Sequence, residues 1–374
     1  MKLYIYHFIL LTYIISTMSS EYTTPKKQPL IIVSRSNAEL ADNIIDSLIK
    51  LNVLSGKELA ENICEINQFA NTEINIKLLK SVRHRDVFII ATGGSDNHLS
   101  INDNLIETTM LVSACYRSGA RNISVILAYL PYSRSDKKDH RGTIGAKFVI
   151  DMLTMVHANR IICMDLHSGQ IQGMTDIPMD NIYAVTDICK YLSTVIFPKY
   201  GKENCILVSP DAGGIKRTKA YAQILSMDYV TLEKQRDYKV NNSVLKSILI
   251  GDAELLKNKI CIMLDDMIDT AGTMIAGANE LTLYGIDGVI LVATHGILSD
   301  PAKERINCAT CVKEVIVTNT LPQKQHLVNC DKLKVVNVGQ TFARVIQILF
   351  EEAGESISEL FDEQYIRKHL YTVE

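Results

Sequence analysis

The segment Ile260-Cys-Ile-Met-Leu-Asp265-Asp266-Met-Ile-Asp269-Thr270-Ala271-Gly272-Thr273 sets the reading of the chain. Its first five residues are an apolar run, which predicts a buried strand. That strand ends in two adjacent carboxylates, Asp265 and Asp266. A tight turn follows at Asp269 and Thr270, and Gly272-Thr273 opens a helix. A strand feeding a helix through a short turn is the repeating unit of α/β folds. Backbone N–H groups at such a helix start bind phosphate, and Gly272 lets the chain approach it closely. Thr270 and Thr273 add hydroxyl donors. The acids cannot ligate phosphate directly, because like charges repel. They suit sugar hydroxyls, or a magnesium ion that also touches phosphate. An ordinary Asp N-cap would explain one acid and one threonine, but not a second adjacent acid.

Outward from this segment the same alternation continues. Strands are predicted at Leu30–Val33, Val87–Thr92, Ile123–Leu130, Ile161–Leu166, Ile206–Ser209, Val289–Thr294 and Val315–Thr318. Helical spacing marks Asn37–Leu51, Asp103–Arg117, Thr143–Val156 and Thr273–Leu283. The expected fold is α/β, with mostly parallel sheets flanked by helices. Ligands then bind beyond the carboxyl ends of the strands. A faint repeat aligns Gly119 with Gly285 and places Asp103 opposite Asp269. It predicts two similar domains, of which the second keeps the richer phosphate loop. Chance likeness between two strand–helix units is the alternative. The boundaries read as an N-terminal extension over 1–27, domains over 28–182 and 183–350, and a tail over 351–374.

The chain has 374 residues, enough for two domains. Lys plus Arg number 39 and Asp plus Glu 42, a near balance that gives no electrostatic footprint for nucleic acid. The nine cysteines are an odd number and mostly scattered, so they form no disulfide framework and point to a reducing compartment. Cys308 and Cys311 form one CxxC without a second ligand pair for zinc. Leu3–Ile15 is mostly apolar and follows Lys2, like a secretory signal, yet is short for a membrane span. Import into an organelle, or a true start at Met18, are the other readings. A cytoplasmic mature protein without a membrane segment is expected.

Further polar clusters follow the predicted strands. Asp165 and His167 sit just past one, and strand alternation would point both to the same side. With Asp176 and Asp180 downstream, they form a candidate divalent-metal group. Asp176 and Asp180 flank Pro178 and also read as turn residues. Ser209-Pro-Asp211-Ala-Gly-Gly reads as a turn on its own. Arg134-Ser135-Asp136-Lys137-Lys138-Asp139 is either a solvated charge run or a lid over phosphates. Glu233-Lys234-Gln-Arg236 is unremarkable on chemistry alone. No GxxxxGK[ST] is present, nor the protein-kinase signature set.

Residues 265–273 resemble the phosphoribosyl-diphosphate motif of type I phosphoribosyltransferases and ribose-phosphate pyrophosphokinases. The segments at Arg134–Asp139 and Met164–Gly173 narrow the resemblance to the pyrophosphokinases, and it covers nearly all of 30–361. It implies two phosphoribosyltransferase-like domains and transfer of pyrophosphate from ATP to ribose 5-phosphate. It implies that Asp269, Thr270, Ala271, Gly272 and Thr273 hold the 5-phosphate, and that Asp265 and Asp266 hold the sugar hydroxyls. It implies that His167 contacts magnesium–ATP, with Asp211, Asp165, Asp176 and Asp180 as metal-associated acids. Arg134, Ser135, Asp136, Lys137, Lys138 and Asp139 become an ATP loop, with Ser135 where the family has Gln. Lys234 and Arg236 become the catalytic pair. Phe69, Asn71 and Glu73 become adenine contacts that serve a neighbouring subunit, so a homo-oligomer, a dimer or dimer-based hexamer, is expected. A phosphoribosyltransferase and a non-catalytic regulatory subunit are the rivals. The ATP-loop and His167 segments oppose the first. Lys234, Arg236, His167 and Asp269 oppose the second.

Overall fold

The computed structural model describes residues 28–57, 60–94, 99–236, 244–351 and 354–370, without the side chains of 234–236 and 244–247. The N-terminal extension lies outside the described residues. Among them, no helix is long and apolar enough to cross a membrane.

The first half runs β1 (Leu30–Val33), α1 (Ala38–Lys50), β2 (Cys64–Gln68), β3 (Ile74–Leu78), β4 (Asp86–Ala91), α2 (Ile101–Arg117), β5 (Asn122–Leu127), α3 (Gly145–Met155), β6 (Arg160–Met164) and β7 (Met179–Ile182). Strands β1-β4-β5-β6-β7 form one parallel sheet in that order. β2 and β3 form a separate antiparallel hairpin. A bridging helix, α4 (Val185–Tyr191), continues through a π turn at Leu192–Ile196.

The second half repeats the plan. It runs β8 (Cys205–Ser209), α5 (Ile215–Leu225), β9 (Tyr229–Arg236), β10 (Val244–Ile250), β11 (Ile260–Ile268), α6 (Gly272–Leu281), β12 (Gly288–Gly296), α7 (Ala302–Cys308), β13 (Val312–Thr318), β14 (Leu333–Val336), α8 (Gly339–Glu351) and α9 (Glu363–His369). Strands β8-β11-β12-β13-β14 occupy the same order as β1-β4-β5-β6-β7, and all are parallel. The β9–β10 hairpin stands where β2–β3 stands, but here β9 joins the sheet beside β8. Gly119 and Gly285, which the repeat aligned, end equivalent helices with φ of 79° and 70°. That left-handed turn costs a glycine little.

Alternation along the strands separates three cores. In β11, Ile260, Ile262 and Leu264 face a shared core between the halves. Cys261 and Met263 face the outer helices instead. In β4, Phe88 and Ile90 join the shared core, and Val87 and Ile89 the outer one under α2 and α3. The shared core also takes Leu40 and Ile44 of α1 with Phe342 and Ile346 of α8, because α8 packs on α1. Reciprocally, α4 packs on α5. Each half's closing helix thus rests on the first helix of the other half. Phe342 is fully buried, and burying a side chain of that kind stabilises by about 1.5–3 kcal/mol. The tail after Glu351 is built into this core as well, through Leu360, Ile366 and Leu370.

Candidate active site

The N-terminal strands end against the C-terminal half. Asn37 Nδ2 donates to Asn319 O at 2.9 Å, and Thr92 Oγ1 donates to Thr320 O at 2.7 Å. Leu321 leaves no room for a Cβ at Gly94. The carboxyl ends of β8 and β11 instead open into a cavity of about 650 Å³. Its walls carry Asp211, Asp265, Asp266 and residues 269–273 from the second half, and Arg134 and His167 from the first. The structure thus brings together the 269–273 loop, the imidazole and the first residue of the charged loop, which are far apart in sequence.

β11 runs on to Ile268, beyond the predicted end at Leu264, so Asp265 and Asp266 are strand residues. Alternation turns them to different neighbours. His167 Nδ1 and Asp266 Oδ2 are 2.7 Å apart. Asp265 Oδ1 lies 3.6 Å from Arg217 Nη1 and accepts the Asp266 N–H at 2.9 Å. Burial alone would raise the Asp266 carboxyl. The His167 hydrogen bond and the Arg217 charge outweigh it and hold this group well below the usual carboxylate range. His167 is raised, chiefly by the same hydrogen bond. Asp265 moves the other way. Burial, then its ionised neighbour, push it up to about 7. An acid held low, an acid pushed up to about 7 and an imidazole raised by its hydrogen bond therefore share the wall.

The turn after β11 leaves its donors open. Ala271 has φ of 58°, and no side chain caps α6. The first N–H groups of α6 therefore remain for a ligand, at the positive end of the helix dipole. Asp269 Oδ2 pairs with Arg134 Nη1 at 2.7 Å, which offsets the negative charge of this turn. Its Oδ1 is buried without a protein partner, an acceptor position that a ligand hydroxyl fits. Arg305 Nη1 donates to Thr270 O at 2.9 Å and props the loop from behind.

Other expected residues fall elsewhere. Asp165 does not share a side with His167, which corrects the alternation argument. β6 stops at Met164, and Asp165 takes φ of 42°, so the chain turns there. The Asp165 carboxylate is buried beneath the site, where it accepts from Thr294 Oγ1 at 2.6 Å and the Ala184 N–H at 3.1 Å. Beside it His295, held below its usual pKa by burial, donates from Nε2 to Met164 O at 2.9 Å. Asp180 pairs with Arg160 at 2.5 Å and lines a different hollow, and Asp176 is exposed. Asp211 lines the cavity and also accepts the Gly214 N–H at 3.1 Å, so it serves its turn as well. Ser135 Oγ accepts the Gly145 N–H and donates to Thr143 O, both at 3.0 Å, which commits it to the start of α3. Lys137, Lys138 and Asp139 are exposed and Asp136 is half-buried. Phe69, Asn71 and Glu73 form the tip of β2–β3, with Phe69 56% exposed and none of them in the cavity. Lys234 and Arg236 lie on β9, and their side chains fall outside the described residues. The preceding Glu233 lines the cavity.

Arg217, Arg305, Thr294 and His295 escaped the sequence reading. Arg217 had one legible signal, a cation at the start of the helix after Gly213-Gly214. The other three act across elements that no local motif connects.

A family model described as the N-terminal domain of ribose phosphate pyrophosphokinase matches residues 30–156. A second, the phosphoribosyl synthetase-associated domain, matches 230–362. The phosphoribosylpyrophosphate synthetase of Mycobacterium smegmatis superposes with a TM-score of 0.76 at 32% identity, over 87% of this chain and 100% of that one. Adenine phosphoribosyltransferase from Thermoanaerobacter pseudethanolicus aligns over 34% of this chain and 78% of its own, at 18% identity and a TM-score of 0.25. With two family models and a full-length structural relative in agreement, the chain belongs to the ribose-phosphate pyrophosphokinase family.

Proposed function

We infer that the chain is a ribose-phosphate diphosphokinase, converting ATP and ribose 5-phosphate to AMP and 5-phosphoribosyl 1-diphosphate. The observation that carries this is the meeting of an uncapped phosphate loop, 269–273, with His167 and Arg134 in one cavity. The α6 N-terminus takes the 5-phosphate, with Thr270 and Thr273 as added donors. Asp265 and Asp266 orient the ribose hydroxyls. Anchoring the acceptor through a phosphate remote from C1 supplies orientation without touching the reacting atoms.

The C1 hydroxyl oxygen then attacks the β-phosphorus. The bond from that phosphorus to the α–β bridging oxygen breaks, AMP leaves with the electron pair, and the hydroxyl proton goes to solvent. Such transfers depend on positioning and charge neutralisation more than on covalent help. Lys234 and Arg236, on a strand that borders the site, are assigned to the charge on the transferred group. Arg134 is shared between Asp269 and the ATP phosphates.

The donor set fits magnesium. Among the described residues no three His, Cys, Asp or Glu side chains form a metal cage. Magnesium keeps several waters and needs only one or two protein ligands beside substrate phosphates. His167, through the nitrogen that Asp266 does not engage, and Asp211 would hold it, and it would neutralise phosphate charge. Asp165, Asp176 and Asp180 are left to structural duties.

The exposed tip at Phe69–Glu73 supports a base contact made in a neighbouring subunit, and hence a dimer-based homo-oligomer. A cytoplasmic location fits nine unpaired cysteines. The test is direct. Purified chain with ATP, ribose 5-phosphate and magnesium should release AMP only when the sugar phosphate is present. Absence of AMP would replace this reading with that of a non-catalytic binding subunit.

A further inference from the structure

The turn that carries His167 is gripped from the other half of the chain. β6 ends at Met164, and the next residue, Asp165, takes φ of 42°. A residue with a Cβ keeps that backbone angle only where its surroundings hold it. Here they do so step by step. His295 Nε2 donates to Met164 O at 2.9 Å. Asp165 Oδ2 accepts from Thr294 Oγ1 at 2.6 Å. The Leu166 N–H donates to Asn181 Oδ1 at 3.0 Å, and His167 Nδ1 meets Asp266 Oδ2 at 2.7 Å. All of these partners except Asn181 belong to the second half. The register of β11 and β12 sets His295 opposite Met267, the residue after Asp266. Neighbouring strand ends therefore deliver both His295 and Asp266 to the same four-residue turn.

His295 is itself fixed on every side. It is fully buried, and its ring packs against Tyr129 of the first half with centroids 4.9 Å apart. Its partners set its tautomer. A carbonyl can only accept, so Nε2 carries the proton, and Nδ1 accepts from Thr320 Oγ1 at 2.9 Å. Thr320 O in turn accepts from Thr92 Oγ1, and Thr318 Oγ1 donates to Thr294 O at 2.8 Å. Packing alone would need only an apolar side chain here. Instead the ring is a strut whose one N–H is aimed at the turn.

We propose that His295, aided by Thr294, is a positioning residue for pyrophosphoryl transfer. Neither lines the active-site cavity. Together they hold the 164–167 turn so that His167, with Nδ1 on Asp266, keeps its Nε2 presented to magnesium–ATP. The inference rests on the reading of His167 as the magnesium–ATP contact.

The experiment titrates the full-length chain calorimetrically with magnesium–ATP in the absence of sugar phosphate, and separately with ribose 5-phosphate. Wild type, His167→Ala, His295→Leu and His295→Gln are compared. His167→Ala should weaken magnesium–ATP binding about tenfold or more, and His295→Leu should follow it, as partners behind a metal contact do. Ribose 5-phosphate, held by the 269–273 loop of the half that carries His295, should bind His295→Leu within about twofold of wild type. His295→Gln can still donate to Met164 O and should recover most of the magnesium–ATP affinity. The KM for ATP should move in the same order. If His295→Leu does not fold, Thr294→Val, of the same shape but without the hydroxyl bond to Asp165, replaces it with the same expected direction. Equal weakening of both ligands would mean general loosening of the second half and would overturn the proposal. Unchanged magnesium–ATP binding in the folded variant, beside a weakened His167→Ala, would overturn it alone. Unchanged binding in His167→Ala would remove the reading of His167, and this proposal with it.

Discussion

Two crevices of identical topology meet opposite fates in this molecule. Behind β4 the turn leads to α2, whose start is closed by its own side chains. Ser100 Oγ accepts the Asp103 N–H at 3.2 Å, and the Asp103 carboxylate accepts the Ser100 N–H at 2.9 Å. Behind β11 the equivalent turn leads to α6, which no side chain caps. The first crevice is also covered by residues 319–321 of the other half, while the second stays open. The same strand–turn–helix unit can therefore be stabilised or made receptive. The choice rests on whether the helix N-terminus is satisfied internally. A receptive end forgoes the roughly 0.5–2 kcal/mol that a cap contributes.

The hairpins differ in the same sense. β2–β3 stands apart from its sheet, whereas β9, which includes Lys234 and Arg236, is bonded into its own. The largest effect should come from breaking that contrast. Lys234→Ala should lower kcat by roughly 10² or more with Michaelis constants mostly intact. Steady-state kinetics check this, and a change confined to KM would remove Lys234 from the transition state. Asn71→Ala, at the matching hairpin, should act mainly on the KM for ATP.

The paired acids sharpen the comparison next. Asp269→Ala should raise the KM for ribose 5-phosphate about tenfold or more, because it frees Arg134 and unsettles the turn. Asp103→Ala, at the aligned position, should leave both KM values alone. Equal kinetic effects from the two would mean that the crevices are not functionally distinct. Smaller still is the capping term. Ser100→Ala should cost about 1 kcal/mol of stability in a urea titration, with kcat unaltered.

The last prediction concerns the seam between the halves. The Asp187 carboxyl titrates near 7 in the folded chain, above the usual unfolded value of about 3.9. Between those two values the folded state holds the extra proton. Its contribution is full below the lower value and is lost as pH rises through about 7. Asp187→Asn should therefore flatten the fall in stability between pH 5 and pH 8. Parallel pH profiles of wild type and variant would show that Asp187 does not set it.

Much of this was legible because it is local. Ile260–Leu264 is a strand because alternate residues face two apolar layers, and periodicity records that. The candidate phosphate loop stood out through Asp265 to Thr273, whose types suit no ordinary turn. The resemblance to a family, rather than chemistry, raised Lys234 and Arg236. Illegible were the features made by tertiary meeting. Arg217 reaches Asp265 only after α5 docks on the sheet. Arg134 reaches Asp269 only when the halves join. Asp165 left its expected place because a single left-handed residue broke the strand's alternation. Ser135 stands where the family has Gln, and its bonds to the Gly145 N–H and Thr143 O form only when the loop folds back on the start of α3. Each depends on a contact or a backbone angle that neighbouring residues do not encode.

The exchange of closing helices has one more consequence. Because α8 rests on α1 and α4 on α5, cutting the chain between β7 and β8 would not release two self-sufficient pieces. Each piece would keep a helix that completes its neighbour and lack the one that completes itself. In architecture the chain is two similar halves joined end to end, each lending the helix that covers the first helix of the other, so its two lobes are folded by reciprocity.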